Sequence, residues 1–177
     1  MTGADPYVFR PATAADHDLL CEWQARPHVR AWWDAPEPDA AAPLPDPRVV
    51  RWIVEIADRP FAYMQDYTVH GWADHPFFHL PTGARGIDQF IGEADMVGKG
   101  HGPGFITARL MTLFADGAPV VATDPHPDNA RAIAAYRKAG FRQIGPPRDT
   151  RWGRILPMTV TPSYDPSANV TRSVAIS

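Results

Sequence analysis

The sequence contains a single cysteine, no long apolar run and almost no excess of either charge, and each absence excludes a class of protein. Cys21 is the only cysteine among the 177 residues, so no disulfide can form within the chain. The absence of disulfides is typical of proteins in a reducing compartment. No apolar run approaches the ~20 residues of a membrane-spanning helix. The first residues, MTGADPYVFR, lack the apolar core of a secretory signal. These absences predict a cytoplasmic protein with no membrane partner.

The charge balance argues against nucleic acid as a partner. Seventeen lysines and arginines oppose twenty aspartates and glutamates, for a net charge of −3 at pH 7, and no basic block or stripe is present. Proline, in contrast, is frequent at 20 residues, while the hydrophobic share of 45% is that of a folded protein. We expect one domain over 1–177, with its core from about 7 to 160 and a loosely held tail over 161–177.

The segments with a regular apolar pattern contain almost no proline, and they predict strands and helices that alternate along the chain, as in a mixed α/β fold. A strand at 7–9 precedes a helix that Thr13 and Asp16 would cap at its start. Alternating apolar residues predict an antiparallel hairpin over 50–56 and 61–69. The remaining expected elements are a strand at 86–91, a helix over 106–114, a strand at 120–123, a helix over 129–139 with a Schellman cap at Gly140 and Phe141, and a last strand at 154–160, placed at a sheet edge by Pro157.

A glycine-rich segment, GKGHGPG, occupies 98–104 between a predicted strand and a predicted helix. This order is typical of a phosphate site, because glycine permits close approach of the backbone and the first N–H groups of a helix point at the anion. The spacing differs from a P-loop, since Lys99 precedes the second glycine and no Ser or Thr follows it, and also from a dinucleotide-binding fingerprint. A flexible glycine turn is the alternative.

The segment from Gly86 to Gly145, GIDQFIGEADMVGKGHGPGFI…VVATDPHPDNARAIAAYRKAGFRQIG, resembles the acetyl-CoA site of the GNAT superfamily of N-acetyltransferases. It is most similar to the aminoglycoside 6′-N-acetyltransferases in its IDQ strand, GKG-x-G loop, TDP strand end, N-x-RAI helix start and Y-x-KAGF helix end. The resemblance implies a central, mostly antiparallel sheet that splays at the acetyl-CoA site and is flanked by helices. It also implies acetyl transfer to the 6′-amine of an aminoglycoside by direct attack in a ternary complex, and hence antibiotic resistance.

The same resemblance assigns the residues that hold acetyl-CoA. Pantetheine would lie between the strands at 86–91 and 120–123, where the backbone near Gln89 or Phe90 polarises the thioester carbonyl. Asn129 would cap the following helix and contact the pantetheine arm. The pyrophosphate would lie on the loop residues Gly98, Lys99, Gly100, His101, Gly102 and Gly104, whereas Pro103 lacks the N–H that relatives usually offer at its position.

Three residues are the candidate catalytic groups. Tyr136 follows Asn129 by seven residues, on the same helical face, where its phenol would protonate the departing thiolate; the alternative is a core aromatic beside Ile133. Asp88 and Asp124 would end the two splayed strands, bind the ammonium form of the acceptor and remove its proton. For Asp124 the alternative is an Asp-Pro turn. Further candidate contacts to a polycationic acceptor are Trp32, Trp33, Asp66 and Tyr67.

Two alternatives to aminoglycoside acetylation remain open. The rival within the fold is acylation of a siderophore-type hydroxylamine or another small amine, although such relatives tend to carry histidine where this chain has Asp88. A module that only binds CoA is a second alternative. His70, His75 and His79 do not have the spacing of a zinc site, so acetyl-CoA is expected without a metal. Five prolines between Pro36 and Pro47 replace a helical segment of close relatives at the acceptor cleft, and we expect a monomer or a homodimer.

Overall fold

The structure, a computed structural model, describes residues 6–33 and 46–162. The helices are α1 (His17–Ala25), α2 (Pro27–Arg30), α3 (His101–Ala115) and α4 (Ala130–Lys138). The strands are β1 (Tyr7–Pro11), β2 (Val49–Ile56), β3 (Arg59–Thr68), β4 (Arg85–Ile91), β5 (Val121–Thr123), β6 (Arg142–Gln143), β7 (Arg148–Thr150), β8 (Gly153–Ile155) and β9 (Met158–Val160). Within these residues, no helix combines the length and the apolarity needed to cross a bilayer.

The main sheet has the order β1-β2-β3-β4-β5-β9-β6, and all of its neighbours are antiparallel except β4 and β5. The predicted hairpin is confirmed as β2 and β3. Its turn residues Ala57 and Asp58 have φ values of 48° and 59°, as in the two-residue turns whose twist matches that of the flanking strands. The strands β7 and β8 pair separately. The prediction of a mixed α/β fold with a mainly antiparallel sheet is confirmed.

The one parallel pair is short, and this opens the sheet. The ladder between β4 and β5 has only two residue pairs, Arg85 with Val121 and Gly86 with Ala122. Beyond Gly86, β4 continues to Ile91 in its ladder with β3 alone. The backbone groups of β4 that would meet β5 therefore face a gap between the two strands. This is the splay that the sequence predicts.

Apolar side chains on the two faces of the sheet form different layers. One face packs against α3 and α4, in a core that contains Met64, Ile87 and Ile106. The other face packs against α1 and α2 through Trp23, Tyr63 and Phe90, and against the segment 69–84 through a third cluster. Because side chains alternate along a strand, each step along β3 or β4 moves from one layer to the other.

The predicted helix caps are confirmed. Thr13 and Asp16 form a capping box at a short 3-10 turn that leads into α1, and the Asp16 carboxylate accepts from the Thr13 amide at 2.8 Å. Asn129 caps α4, accepting from the Ala132 amide at 3.1 Å. Gly140, with φ of 96°, ends α4 as a Schellman motif: its amide bonds to Arg137, and the Phe141 amide bonds to Tyr136.

The last predicted strand is wrong in its extent and its place. It divides at Pro157 into β8 and β9, and β9 lies between β5 and β6 rather than at an edge. Pro157 precedes β9, so its missing N–H removes no bond from the β9 ladder. The predicted proline-rich loop falls mainly on 34–45, and the predicted tail mainly on 163–177, and both stretches lie outside the described residues.

Candidate active site

A cleft of about 1040 Å³ opens at the splay between β4 and β5. Its floor is the face of the sheet that carries Gln65, Tyr67 and Asp88, and its sides come from the glycine turn before α3, the end of β5 and the start of α4. Several predicted site residues meet here. Those that line the cleft are Trp32, Trp33, Tyr67, Asp88, Gln89, Phe90, Gly98, Gly100, Gly102, Asp124, Asn129 and Tyr136.

A row of polar side chains crosses the floor of the cleft. Arg51 on β2 is paired in register with Gln65 on β3, and Gln65 is paired with Asp88 on β4. Asp124 follows the end of β5 on the far side of the splay. Gln65 donates from Nε2 to Asp88 Oδ2 at 2.9 Å and accepts from the Tyr63 hydroxyl at 2.9 Å. These two bonds orient the Gln65 amide and hold the Asp88 carboxylate at the gap.

The two cleft carboxyls share an environment that favours their neutral forms. Burial raises the pKa of Asp88 to about 6, although the hydrogen bond from Gln65 opposes the shift. Burial and then the negative charge of Asp88 raise the pKa of Asp124 to about 7, although the positive charge of Arg148 opposes the shift. Neither carboxylate has an ion-pair partner within 6–33 or 46–162. Near neutral pH the pair is therefore only partly protonated, which leaves at least one carboxylate ionised and able to accept a proton.

Tyr136 lies on α4 where the core meets the cleft, so it is both a buried aromatic and a residue that lines the cleft. Its side chain is buried and packs on Phe141 with 5.3 Å between ring centroids. Burial and then the charge of Asp88 raise the pKa of its phenol, while the side chains of Thr123 and Gln89 act in the opposite direction. A phenol in this setting stays protonated at neutral pH, as a general acid must before it donates.

The glycine turn supplies fewer amides than expected. Gly98 and Gly100 have φ values of 78° and 86°, a conformation that glycine adopts without strain. α3 begins at His101, so the amides of His101 and Gly102 are first-turn groups without a helical acceptor. Gly104 is the fourth helical residue, whose amide bonds within the helix, and a Cβ there would overlap the ring of Tyr7. The prediction that Gly104 donates to a phosphate is therefore wrong.

Two predicted loop residues stand at the rim of the turn rather than in the cleft wall. Lys99 is exposed beside the turn, where its ammonium is accessible to an anion. His101 is half-buried, and its Nδ1 lies 3.2 Å from the Tyr7 hydroxyl. Its contribution to an anion would come from its backbone amide, because its ring packs against Tyr7 and Phe61.

Asp66 does not reach the cleft, and its prediction as a substrate contact is wrong. It follows Gln65 on β3, so its side chain points to the opposite face of the sheet, and it is only 1% exposed. Arg85 donates to its Oδ1, and Arg109 donates to its Oδ2 at 2.7 and 3.0 Å. Trp52 Nε1 donates to the same Oδ2 at 2.7 Å. The carboxylate is thus fully engaged in a buried network between the sheet and α3.

The predicted aromatic residues do line the cleft. Trp32 is 48% exposed, with its ring centroid 5.7 Å from that of His126, whereas Trp33 packs edge-on against Phe90 at 4.9 Å. Tyr67 is buried across the β3–β4 ladder from Gly86, where any Cβ would overlap its ring. Trp32 is therefore the aromatic surface most open to a ligand.

Gln65 and Arg51 are cleft residues that the sequence does not single out. Each belongs to an alternating strand in which a polar residue looks like a solvent-facing position. Only the strand register places both in one row with Asp88. As for metals, no group of three or more His, Cys, Asp or Glu side chains that could hold an ion is present in the described part of the chain.

Residues 12–147 match the family described as an acetyltransferase (GNAT) domain. The chain belongs to the GNAT acetyltransferase family. It is 33% identical over 153 residues to the aminoglycoside N(6′)-acetyltransferase type 1 of Klebsiella pneumoniae, covering 80% of this chain and 76% of that protein. It is 26% identical over 148 residues to the lysine N-acyltransferase MbtK of Mycolicibacterium paratuberculosis, covering 79% of this chain and 67% of that protein.

A solved GNAT structure shares the fold closely. The aminoglycoside acetyltransferase AAC(6′)-Ib in complex with ribostamycin and coenzyme A superimposes with a TM-score of 0.80 and 32% identity, over 97% of this chain and 100% of that one. The predicted GNAT membership and fold are therefore confirmed. Acetyl-CoA, the predicted cosubstrate, agrees with the coenzyme A held by that relative.

Proposed function

We propose that this GNAT acetyltransferase transfers the acetyl group of acetyl-CoA to the 6′-amine of an aminoglycoside and thereby confers resistance. The observation that carries the proposal is the pair Asp88 and Asp124, two carboxyls without a cation partner in the described residues, at the two sides of the splay. An ammonium group is the natural partner of such a pair. The likeness to aminoglycoside 6′-N-acetyltransferases supports the same acceptor.

The splay and the glycine turn would hold acetyl-CoA. Pantetheine would lie along β4 where β5 leaves it, with an amide near Gln89 or Phe90 donating to the thioester carbonyl. The pyrophosphate would accept from the turn residues Gly98 to Gly102 and from the positive end of α3. Asn129, which already caps α4 through Oδ1, would contact the arm of the cofactor.

The transfer itself needs one base and one acid. The acceptor enters as an ammonium ion, and the ionised member of the Asp88–Asp124 pair takes its proton, directly or through a water. The neutral nitrogen then attacks the thioester carbon, so that an N–C bond forms as the C–S bond breaks. The thiolate leaves with a proton from Tyr136, whose phenol is kept protonated by its burial. The acetylated nitrogen then loses its second proton, which restores the Tyr136 phenol through solvent.

A second candidate is acylation of a lysine-like amine or hydroxylamine. The similarity to a lysine N-acyltransferase supports it. In this chain the strand position that faces the gap is Asp88, and its carboxylate is suited to an acceptor that must lose a proton before attack. The two candidates therefore differ in the acceptor, while the donor and the chemistry are shared.

The test is free-thiol release from acetyl-CoA with kanamycin, ribostamycin, a polyamine and N-hydroxylysine as separate acceptors. We expect turnover with at least one aminoglycoside, and a product whose mass fragments place the acetyl group on the 6′-nitrogen. Turnover of N-hydroxylysine alone would establish the second candidate instead. A CoA-binding module would bind acetyl-CoA in calorimetry and release no thiol with any acceptor.

The role of Tyr136 has its own test. Tyr136→Phe removes only the hydroxyl, so we expect kcat to fall by about ten- to a thousandfold because the thiolate leaves without an acid. The dissociation constant of acetyl-CoA, measured by calorimetry, should stay unchanged. An unchanged kcat would show that Tyr136 is a core aromatic and that another group, or water, protonates the thiolate.

We also propose that the protein acts in the cytoplasm, as a monomer or a homodimer. The single cysteine, which is half-buried on α1, supports a reducing compartment. Cell fractionation and light scattering of the purified protein test the two points.

A further inference from the structure

Arg51 is a cation on the acceptor side of the cleft. It is half-buried on β2 and lines the same cavity as Asp88 and Asp124. It forms no ion pair with any residue of 6–33 or 46–162, and its side chain interacts with the Tyr63 hydroxyl and, at longer range, with the charge of Asp46. The nearby carboxylate of Asp46 is already bound by Arg48, whose Nη2 and Nε lie 2.7 and 2.9 Å from it.

The strand register fixes the distance between this cation and the reacting end of the cleft. Arg51 is opposite Gln65, which is opposite Asp88. Two strand spacings of ~4.8 Å separate the backbones of Arg51 and Asp88, about 10 Å in all. The three side chains share one face of the sheet, and no helix lies between them and the cavity that they line.

This arrangement gives the floor of the cleft two ends of opposite charge. The carboxyls at the splay attract an ammonium group, whereas Arg51 repels one and attracts an anion. A guanidinium that is partly removed from water gains most from a carboxylate, which it can bind through two parallel hydrogen bonds. A purely polycationic acceptor therefore meets one favourable end and one unfavourable end.

We propose that Arg51 binds a carboxylate of the acceptor, so that the cleft acetylates amines that carry a carboxylate at about the length of an extended lysine side chain. This assigns Arg51 as the residue that selects the carboxylate of a lysine-like acceptor, the second candidate above, and it rests on the proposed acetyl transfer at the same site. The amine nitrogen lies at Asp88 and the carboxylate at Arg51. The bonds made and broken are those of the proposed transfer, with the amine proton going to the aspartate pair and the thiolate protonated by Tyr136.

The decisive acceptors differ only in the anion. Nα-acetyl-L-lysine and Nα-acetyl-L-lysinamide have the same amine and the same stem, and only the first has a carboxylate. We expect the wild-type protein to show a kcat/KM about tenfold or more higher for the acid than for the amide, because hydrogen bonds between charged groups are stronger than those between neutral ones. Thiol release from acetyl-CoA measures both.

Variants assign the preference to Arg51. Arg51→Gln should reduce the acid-to-amide ratio to about one, and Arg51→Lys should keep part of it because the charge remains. Arg51→Gln should also raise kcat/KM for kanamycin severalfold at low salt, with a smaller gain at high salt as screening weakens the repulsion. Arg142→Gln, an exposed arginine on β6 outside the cleft, is the matched control and should change neither ratio.

Each outcome decides between this inference and the proposed function. Equal use of the acid and the amide by the wild-type protein, or no use of either, overturns the role of Arg51. A ratio that survives Arg51→Gln, with the variant folded by circular dichroism, overturns it as well. If the ratio behaves as expected while no aminoglycoside is acetylated, the inference stands and the aminoglycoside proposal fails. If kanamycin is acetylated and Arg51→Gln leaves the acid-to-amide ratio unchanged, the aminoglycoside proposal stands and the role of Arg51 is overturned.

Discussion

Asp66 and Asp88 belong to adjacent residue pairs of the β3–β4 ladder, yet their carboxylates face opposite sides of the sheet and have different partners. Asp66 pairs in register with Ile87 and faces α3, where two arginines and an indole bind it. Asp88 pairs with Gln65 and faces the cleft, where one amide binds it and burial raises its pKa to about 6. Asp66 is buried and Asp88 is half-buried in the cleft, and their partners account for much of the difference.

The partners of a carboxylate distinguish an acid that holds the fold together from one that is available to a ligand. A buried carboxylate whose lone pairs are occupied by cations is held ionised and has nothing left to offer a ligand. A carboxylate enclosed in a cleft without a cation keeps a raised pKa and gains from an incoming ammonium group. The following predictions test this contrast.

Asp66→Asn should have the largest effect, and on stability. The change leaves Arg85 and Arg109 without their shared counter-charge, for which we expect a loss of about 3 kcal/mol or more in the free energy of unfolding. Urea titration measures the loss. Asp95→Asn is the control, since Asp95 forms a solvent-exposed ion pair with Arg59, and such pairs contribute little to stability. Equal losses in the two variants would show that the buried network contributes no more to the free energy of unfolding than an exposed ion pair does.

Asp88→Asn should have the next largest effect, and on activity alone. We expect kcat/KM for the amine to fall about tenfold to a hundredfold, with the affinity for acetyl-CoA retained. The charge of Asp88 helps to raise the pKa of Asp124, so its removal lowers that pKa. The residual activity should therefore reach its plateau at a lower pH than the activity of the wild-type protein. Loss of acetyl-CoA binding would assign Asp88 a structural role like that of Asp66.

Gln65→Leu should have the smallest effect, visible in the pH profile. The hydrogen bond from Gln65 lowers the pKa of Asp88, and its loss raises that pKa above about 6. Because a base works only when ionised, the rise of kcat/KM with pH should move to higher pH, with a severalfold loss at pH 6 and little change at pH 8. Gln143→Leu, on the exposed strand β6, should leave the profile in place. A uniform loss at all pH values would mean that Gln65 only supports packing.

Local signals were enough to predict much of this architecture. The cap residues Thr13 and Asn129 and the terminal Gly140 act within a few residues of themselves, so their chemistry can be read directly from the chain. The resemblance in turn predicted the splay and most of the cleft. It also gave Gly104 a phosphate contact, because its short motif does not show that α3 begins at His101 and uses the Gly104 amide internally.

The site predictions that failed were those that depended on which side of the sheet a residue faces. Alternation along β3 puts Gln65 and Asp66 on opposite faces, but the pattern itself does not say which face becomes the cleft. Asp66 was therefore predicted to contact the substrate, while Gln65 and Arg51 carried no signal. The edge position expected from Pro157 failed for a related reason, since the chain returns to insert β9 between β5 and β6.

The sequence by itself determined the family, the helix boundaries at Asn129 and Gly140 and the absence of an internal disulfide, since these depend on residue types and short spacings. The tertiary structure decided which acids face the cleft. Pairing of distant strands set the row from Arg51 to Asp88, directed Asp66 to two arginines, and left the cleft carboxyls without an ion pair among the described residues. The physical reason is that the energy of a charge depends on the groups brought within a few ångströms of it, which are distant along the chain.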